Sequence, residues 1–209
     1  MTLRRALPGF CILCLLLMAI PAVAQQDLYN NGPIDGESIG WTINFGFAVS
    51  DQFTLSSDST INGITFAAHM FPGDVLETVD VSITSSEFGG TSYFDQTVSF
   101  TQLGSCFVND FGFNVCTESG AFGNVSLNAG SYWLNLQNGV VNTGDPVFWD
   151  ENSGPSLASE SSVGTIPSES FTILGRSTGT GTTPEPSSLL LFASGIVGIF
   201  AAIHHRFSA

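Results

Sequence analysis

The sequence predicts an all-β protein: an antiparallel β-sandwich, jelly-roll-like, followed by a single C-terminal transmembrane helix. Apolar residues recur with period two through residues 25–175, which places one face of each segment on a core. Turn residues separate these runs, and no stretch of that region keeps a helical period with caps. The 18 Phe residues supply the bulk that a core between two facing sheets requires.

The predicted strands follow one another through short connections. The first runs from Trp41 to Val49, where apolar residues alternate with small or polar ones. Further runs occupy residues 52–55, 61–67, 79–83, 92–100, 124–127, 132–137, 146–149 and 170–174. An immunoglobulin-like sandwich is the nearest competing fold, but Cys106 and Cys116 stand too close in sequence to bridge its two sheets.

Residues 1–24 are typical of a secretory signal peptide. Arg4 and Arg5 form the charged start, residues 10–20 form the apolar run, and Ala22-Val23-Ala24 is the cleavage site. The apolar run is shorter than the about 20 residues that a spanning helix needs. We therefore expect an exported protein whose folded body is residues 25–175.

A second apolar segment, residues 187–203, contains no charged residue and predicts the transmembrane helix. Its 17 residues would span about 25 Å, near the lower limit for crossing a bilayer core. Arg206 follows with two histidines, so the positive-inside rule puts the C-terminus in the cytoplasm and the acidic body outside. The Gly-, Ser- and Thr-rich residues 176–183 indicate a flexible linker.

The end of the chain resembles a known sorting signal. Pro184-Glu185-Pro186, then the apolar segment, then a basic tip with Arg206, is similar to the PEP-CTERM signal of Gram-negative bacteria and covers residues 184–209. The resemblance implies that a membrane-embedded exosortase processes the exported protein at the tripeptide. The tip departs from the family pattern, because it has one arginine and two histidines where several arginines are usual.

The body resembles the β-rich ectodomain that is common among PEP-CTERM proteins. The resemblance rests on four segments, at residues 28–32, 50–55, 129–134 and 169–172. It implies a sandwich and implies no enzyme.

The charge balance limits the classes of partner. The formal net charge is −14, with four basic residues and no lysine. Phosphate binding needs Lys and Arg, so nucleic acid is excluded as a partner. Only 11% of the residues are charged, and the abundant Ser, Thr, Asn and Gly suit a surface that bonds neutral sugars.

Cys106 and Cys116 are the cysteines that remain after signal cleavage. An exported protein enters an oxidising compartment, so we expect a disulfide that closes a hairpin or loop. A redox pair would need the C-x-x-C spacing, and a zinc site would need histidines that the body lacks.

Catalysis has few candidate residues in the body. His69 is its one histidine, and no G-x-S-x-G motif supplies a serine for a triad. Asp145, Asp150 and Glu151 offer a carboxylate pair for a glycosidase, although acidic loops also produce such pairs by chance. We assign no catalytic residue.

The sequence requires no cofactor. If the protein binds a metal, calcium is the one expected, because it binds carboxylate, amide and carbonyl oxygens without histidine. Neither candidate loop has EF-hand spacing, so solvated acidic loops are the competing interpretation. The first loop comprises Asp145, Asp150, Glu151 and Asn152, and the second comprises Asp27, Asn30, Asn31 and Asp35.

Trp133, Asn135 and Trp149 are the candidate carbohydrate-binding residues. Trp133 falls on the polar face of its strand with Asn135, and Trp149 stands next to Asp150. An exposed tryptophan can stack on a pyranose while neighbouring amides bond its hydroxyls. Burial in the core is the competing interpretation for both tryptophans.

These observations together predict an exported cell-surface or extracellular-matrix protein of the kind found in biofilms. Its expected role is structural or adhesive and associated with exopolysaccharide. It would be anchored transiently in the inner membrane and processed by an exosortase. The alternative is a secreted polysaccharide hydrolase or lyase that acts through carboxylates.

Overall fold

A computed structural model describes residues 25–36 and 40–178. The predicted signal peptide (1–24) and sorting signal (184–209), with its apolar segment, lie outside these residues. Among the described residues no helix is long and apolar enough to cross a membrane, and all regular structure is β-strand. The strands are β1 (Gln26–Asn30), β2 (Trp41–Thr42), β3 (Ala48–Leu55), β4 (Ser59–Met70), β5 (Leu76–Ser86), β6 (Gly89–Val108), β7 (Asn114–Leu127), β8 (Gly130–Val141), β9 (Phe148–Trp149), β10 (Glu151–Asn152), β11 (Ala158–Glu160), β12 (Gly164–Ile166), β13 (Ser168–Glu169) and β14 (Phe171–Ser177).

The described part of the chain forms a 12-stranded sheet, in the order β1-β14-β4-β7-β6-β5-β8-β3-β11-β12 with β2 and β9 attached beside β4, and a separate two-stranded sheet of β10 and β13. Every pairing within it is antiparallel, which confirms the all-β antiparallel prediction. β6 is 20 residues long and pairs first with β5 and then with β7, so the sheet is continuous and curls. We call β1, β14, β4 and β7 the β4 half, and β5, β8, β3, β11 and β12 the β8 half.

One hydrophobic core fills the space between the two halves. Val79, Val81 and Ile83 are buried on β5, so the period-two pattern correctly predicted which face of this strand meets the core. From the β4 half, Phe66 reaches the same core and meets Trp149 edge to face, with ring centroids 6.1 Å apart. The sheet therefore curls around this core as a half-barrel, an arrangement that is compatible with the predicted sandwich.

The predicted strand from Trp41 to Val49 is wrong, because a tight turn divides it. The Phe47 N–H donates to the Asn44 carbonyl at 3.0 Å, and β3 begins only at Ala48. β2 pairs with β9 beside the β4 half, whereas β3 pairs with β8 in the other half. The turn exists because the chain crosses between the halves here.

The Cys106–Cys116 disulfide is confirmed. It joins β6 to β7 near the tip of their hairpin, with the two Cα atoms 4.4 Å apart. The register of the two strands shifts between Leu103 and Phe107, so the disulfide fixes the pairing where the backbone ladder is interrupted.

Both described chain ends lie at one end of the sheet. Ser177 pairs with Ser59 at the start of β4, and Gln26 pairs with Gly175. We call this the tail end, and the opposite end, at Met70, the distal end. β4 has 12 residues, so the two ends are about 36 Å apart. β14 continues through Ser177, two residues into the segment that the sequence indicates as linker.

Glu118 is an acidic residue on the core face of β7. It is buried directly opposite Phe66, and its Oε2 atom has no hydrogen-bond partner. Burial raises the pKa of Glu118 from its ordinary 4.5 to about 7. Ionising this side chain therefore opposes folding.

Removing the disulfide should lower the free energy of unfolding by about 2–3 kcal/mol, because the unfolded chain is then no longer constrained by a short closed loop. The change is Cys106→Ala with Cys116→Ala, and thermal unfolding followed by circular dichroism measures it. Adding reductant should lower the melting temperature of the wild type and leave the double variant unchanged. A wild type that melts identically with and without reductant would contradict this account.

Replacing Glu118→Gln should remove a pH dependence of stability. The folded-state pKa is raised, so the wild type is stabilised by this proton at low pH and loses that stability as the pH rises from 4.5 through about 7. At pH 8 we expect the variant to be more stable by about 1–2 kcal/mol. At pH 4 the wild type and the variant should have the same melting temperature.

The exposed Glu77→Gln on β5 is the matched control for this experiment and should change the melting temperature at neither pH. An equal shift of Glu118→Gln at pH 4 and pH 8 would show that ionisation of Glu118 is not the cause.

Candidate ligand-binding sites

The prediction that Trp149 is an exposed sugar platform is wrong. Trp149 is 0% exposed and lies in the core beside Phe66 and Phe171. Its indole Nε1–H donates to the Ser170 carbonyl at 2.9 Å, so its polar atom is also used internally. β9 pairs antiparallel with β4, where Trp149 lies opposite the buried Ala68, so Trp149 faces the core.

The other two predicted sugar-binding residues do lie on the outer face of β8. Trp133 is half-buried there and pairs with Gln52 and Thr84 on the neighbouring strands. Asn135 is buried, because its amide donates to Thr84 Oγ1 at 2.8 Å and accepts from the Phe88 N–H at 3.1 Å. The structure therefore leaves Trp133 without an accessible amide from Asn135.

The four residues of the first predicted calcium loop do not form one site. Asp145 is exposed, whereas Asp150 is fully buried with the His69 ring. Glu151 accepts from the Trp41 Nε1–H at 2.8 Å, and Asn152 donates to the Asn31 carbonyl at 2.9 Å. Throughout residues 25–36 and 40–178, no three His, Cys, Asp or Glu side chains come together to hold a metal.

The second predicted loop is also dispersed. The Asn30 side chain accepts from the Gly32 N–H at 2.8 Å, and Asn31 is fully buried. Asp27 lies on β1 and pairs with Leu174 of β14. Asn31 lies in a buried cluster with the acidic residues Asp51 and Glu169.

His69 is a buried residue that pairs with Asp150. Its Nε2 atom lies 2.6 Å from Asp150 Oδ1, and both side chains are inaccessible to solvent. The Gly36 N–H donates to the same Asp150 oxygen at 3.1 Å, so the segment after β1 covers the pair. No substrate could reach His69 in this arrangement.

A buried polar cluster lies between the β1 end of the curled sheet and β3 of the β8 half, and we call it the seam. Its members are Asn31, Asp51, Ser156, Ser168 and Glu169. Asn31 follows β1, whereas Asp51 lies on β3 in the β8 half. The Asn31 Nδ2 group lies 3.2 Å from Asp51 Oδ2 and 2.6 Å from the Glu169 carbonyl oxygen. The Glu169 N–H donates to the same Asp51 oxygen at 2.7 Å.

The two seam carboxyl groups are buried with few partners. Asp51 Oδ1 and both carboxylate oxygens of Glu169 have no hydrogen-bond partner. Burial raises the pKa of Asp51 to about 7. Burial and the neighbouring charges of Asp51, Glu151 and Asp150 raise the pKa of Glu169 well above its ordinary value.

Sequence analysis missed the seam, although one signal was present. Asp51 stands between Val49 and Phe53 at a position where period two predicts an apolar, core-facing side chain. An acidic residue at such a position indicates a buried polar cluster. Glu169 carries no comparable signal.

A cleft of about 290 Å³ opens at the distal end of the β8 half. β5 begins there at Leu76, after the connection from Met70, and Leu76 pairs with Val141. The cleft is lined by Asn44 and Phe45 of the turn before β3, Asn138 and Val140 of β8, and Asp145 of the next loop. It combines an aromatic ring with amide and carboxylate groups.

Phe45 holds an unfavourable backbone conformation at the mouth of this cleft. Its φ is +56° and that of Gly46 is +90°, which defines a type I′ turn. Asn-Gly is the favoured pair for such a turn, and a bulky residue at positive φ costs about 1–3 kcal/mol. The Phe45 side chain is 64% exposed, so burial does not offset this cost. Because backbone strain is often retained at functional sites, the strain at Phe45 beside this cleft makes Phe45 a candidate functional residue.

Comparison with known proteins identifies the end of the chain. Residues 182–206 match the family of the PEP-CTERM protein-sorting motif, which confirms the resemblance found in the sequence. No curated protein matches the chain. The motif marks the chain as an exported protein that an exosortase sorts to the cell envelope or surface.

Proposed function

We propose that this protein is a non-catalytic, adhesive surface protein that binds neutral polysaccharide through the Phe45 cleft. The observation that carries the proposal is the exposed, strained Phe45 ring beside a cleft lined by amide and carboxylate groups. The sorting motif implies export to the cell envelope or surface, where exopolysaccharide would be available for binding.

The chemistry of the cleft fits a sugar. The Phe45 ring provides an apolar face on which a pyranose can stack, and Asp145 provides acceptors for hydroxyl groups. Asn138 uses one amide hydrogen on Asp80 Oδ2, at 2.9 Å, and keeps its other hydrogen and its carbonyl oxygen. The formal net charge of −14 favours neutral polymers over acidic ones.

The position of the cleft suits a protein held by its C-terminal segment. The described chain leaves the sheet at the tail end, and the cleft opens at the distal end. During transient anchoring through residues 187–203, with the C-terminus in the cytoplasm, the cleft would face away from the membrane.

Binding is a better account of this cleft than hydrolysis. Glycoside hydrolysis needs a pair of carboxyl groups about 5–10 Å apart. Asp145 is the one acidic residue among those that line the cleft. The alternative hydrolase or lyase therefore has no second carboxyl group at this site.

Replacing Phe45→Asn should weaken binding at least tenfold without unfolding the protein. Asn is the residue that a type I′ turn prefers, so the change removes the ring and relaxes the turn. The measurement is retention of the purified full chain on immobilised exopolysaccharide from the producing cells, with dextran and cellulose as further neutral probes.

Phe88→Asn is the matched control for Phe45→Asn. Phe88 is also exposed at positive φ, +53°, but lies in the β5–β6 turn at the tail end. It should bind as the wild type does. Equal binding by the Phe45→Asn variant, or no retention of the wild type on any of these polymers, would contradict the proposed function.

Exosortase processing predicts that Glu185→Ala leaves an uncleaved form in the membrane fraction. The reason is that the resemblance implies processing near the Pro184-Glu185-Pro186 tripeptide. Cell fractionation and intact mass of the released protein measure the outcome, with exposed Glu77→Ala as the control. Release of the Glu185→Ala variant at the wild-type level and mass would contradict the assignment of the processing site.

A further inference from the structure

The seam buries two carboxyl groups without a basic residue beside them. Arg176 is the one Lys or Arg within the described residues, and it is exposed on β14 opposite Thr60, towards the tail end. The nearby His69 is already bonded to Asp150 through Nε2. A buried carboxylate is unfavourable unless its charge is paired. Within the part of the chain that the structure describes, no side chain provides that pairing.

Three of the four seam carboxylate oxygens point at no donor in the described structure. These are Asp51 Oδ1 and both oxygens of Glu169, on residues that are 0% exposed. Glu169 also lies opposite Glu151 across the β10–β13 pair, and within electrostatic reach of Asp51 and Asp150. Buried carboxyl groups in such an arrangement are neutralised either by a proton or by a bound cation.

The neutral groups of the seam are also mostly acceptors. The Asn31 Nδ2 group has four oxygens between 2.6 and 3.2 Å away, although an amide group carries two hydrogens. The four are Asp51 Oδ2, Ser156 Oγ, Ser168 Oγ and the Glu169 carbonyl. Carboxylate, hydroxyl and carbonyl oxygens are the ligands that Ca²⁺ prefers, whereas Zn²⁺ prefers nitrogen and sulfur.

We propose that the seam binds one calcium ion through the carboxylates of Asp51 and Glu169. The hydroxyl groups of Ser156 and Ser168 and the Glu169 carbonyl supply further oxygen ligands. The ion links β3 of the β8 half to β13 and to the segment that follows β10, so it holds these parts of the fold together. This site is separate from the Phe45 cleft and does not depend on the proposed function.

Calcium binding is tested on the purified full chain in a mild detergent, by thermal unfolding in 1 mM CaCl₂ and in EDTA. Ligand that binds only the folded state raises stability, so we expect the melting temperature to rise by about 4 °C or more in calcium. Equilibrium dialysis with CaCl₂ should give one ion per chain. Asp51→Asn and Glu169→Gln should each abolish the calcium-dependent shift.

Glu118→Gln is the matched control, because it neutralises a buried acidic residue that also has an unpartnered carboxylate oxygen but lies outside the seam. It should keep the full calcium shift. Should the seam variants fail to fold, Tb³⁺ luminescence of the wild type replaces them. Tyr29, whose hydroxyl donates to Asn31 Oδ1 at 2.7 Å, should sensitise bound Tb³⁺, and CaCl₂ should displace it.

Two results would overturn the proposal. A wild type with no calcium shift and no displaceable Tb³⁺ signal would show that a proton, not a metal ion, neutralises the seam. A calcium shift that survives in both seam variants would show that exposed acidic residues bind the ion instead.

Discussion

Backbone pairing does not close the curled sheet, and the side-chain amide of Asn31 bridges the opening between its two halves. β1 stands at one end of the strand order, and β3 belongs to the other half. Asn31 and the Glu169 N–H both donate to Asp51 Oδ2 across this gap. All three residues are buried, so losing one would leave its partners unsatisfied at a cost of about 1–3 kcal/mol each. The relative position of the two halves depends on this contact.

The seam also determines where the candidate binding surface lies. Asp51 fixes β3, and the turn that carries Phe45 leads directly into β3 at Ala48. Ala48 pairs with Gln137, next to Asn138 of the cleft. Buried polar contacts are a weak source of stability, but they can specify one arrangement among several. In this protein, the arrangement they specify includes a strained aromatic ring at the end of the sheet opposite the C-terminal segment.

Local sequence patterns predicted the local features of this protein, but they could not predict its long-range contacts. Period two predicted the core face of β5, and the sorting motif is contiguous, so sequence alone sufficed for both. Trp149 and Trp133 look alike in sequence, but their exposure depends on which strand lies beside them. Asn31 and Glu169 are 138 positions apart, and no periodicity links them. The strain at Phe45 follows from a chain crossing between the halves, which requires the topology.

Amide hydrogen exchange at Glu169 tests most directly the claim that the seam closes the fold. Its N–H is bonded to Asp51 Oδ2, inside the contact between the halves. If the seam opens only when the whole sheet unfolds, this amide should exchange with a free energy equal to that of global unfolding, like the core amides of β4 and β8. An exchange free energy several kcal/mol lower than that of the core amides would show that the seam opens by itself and would contradict this account.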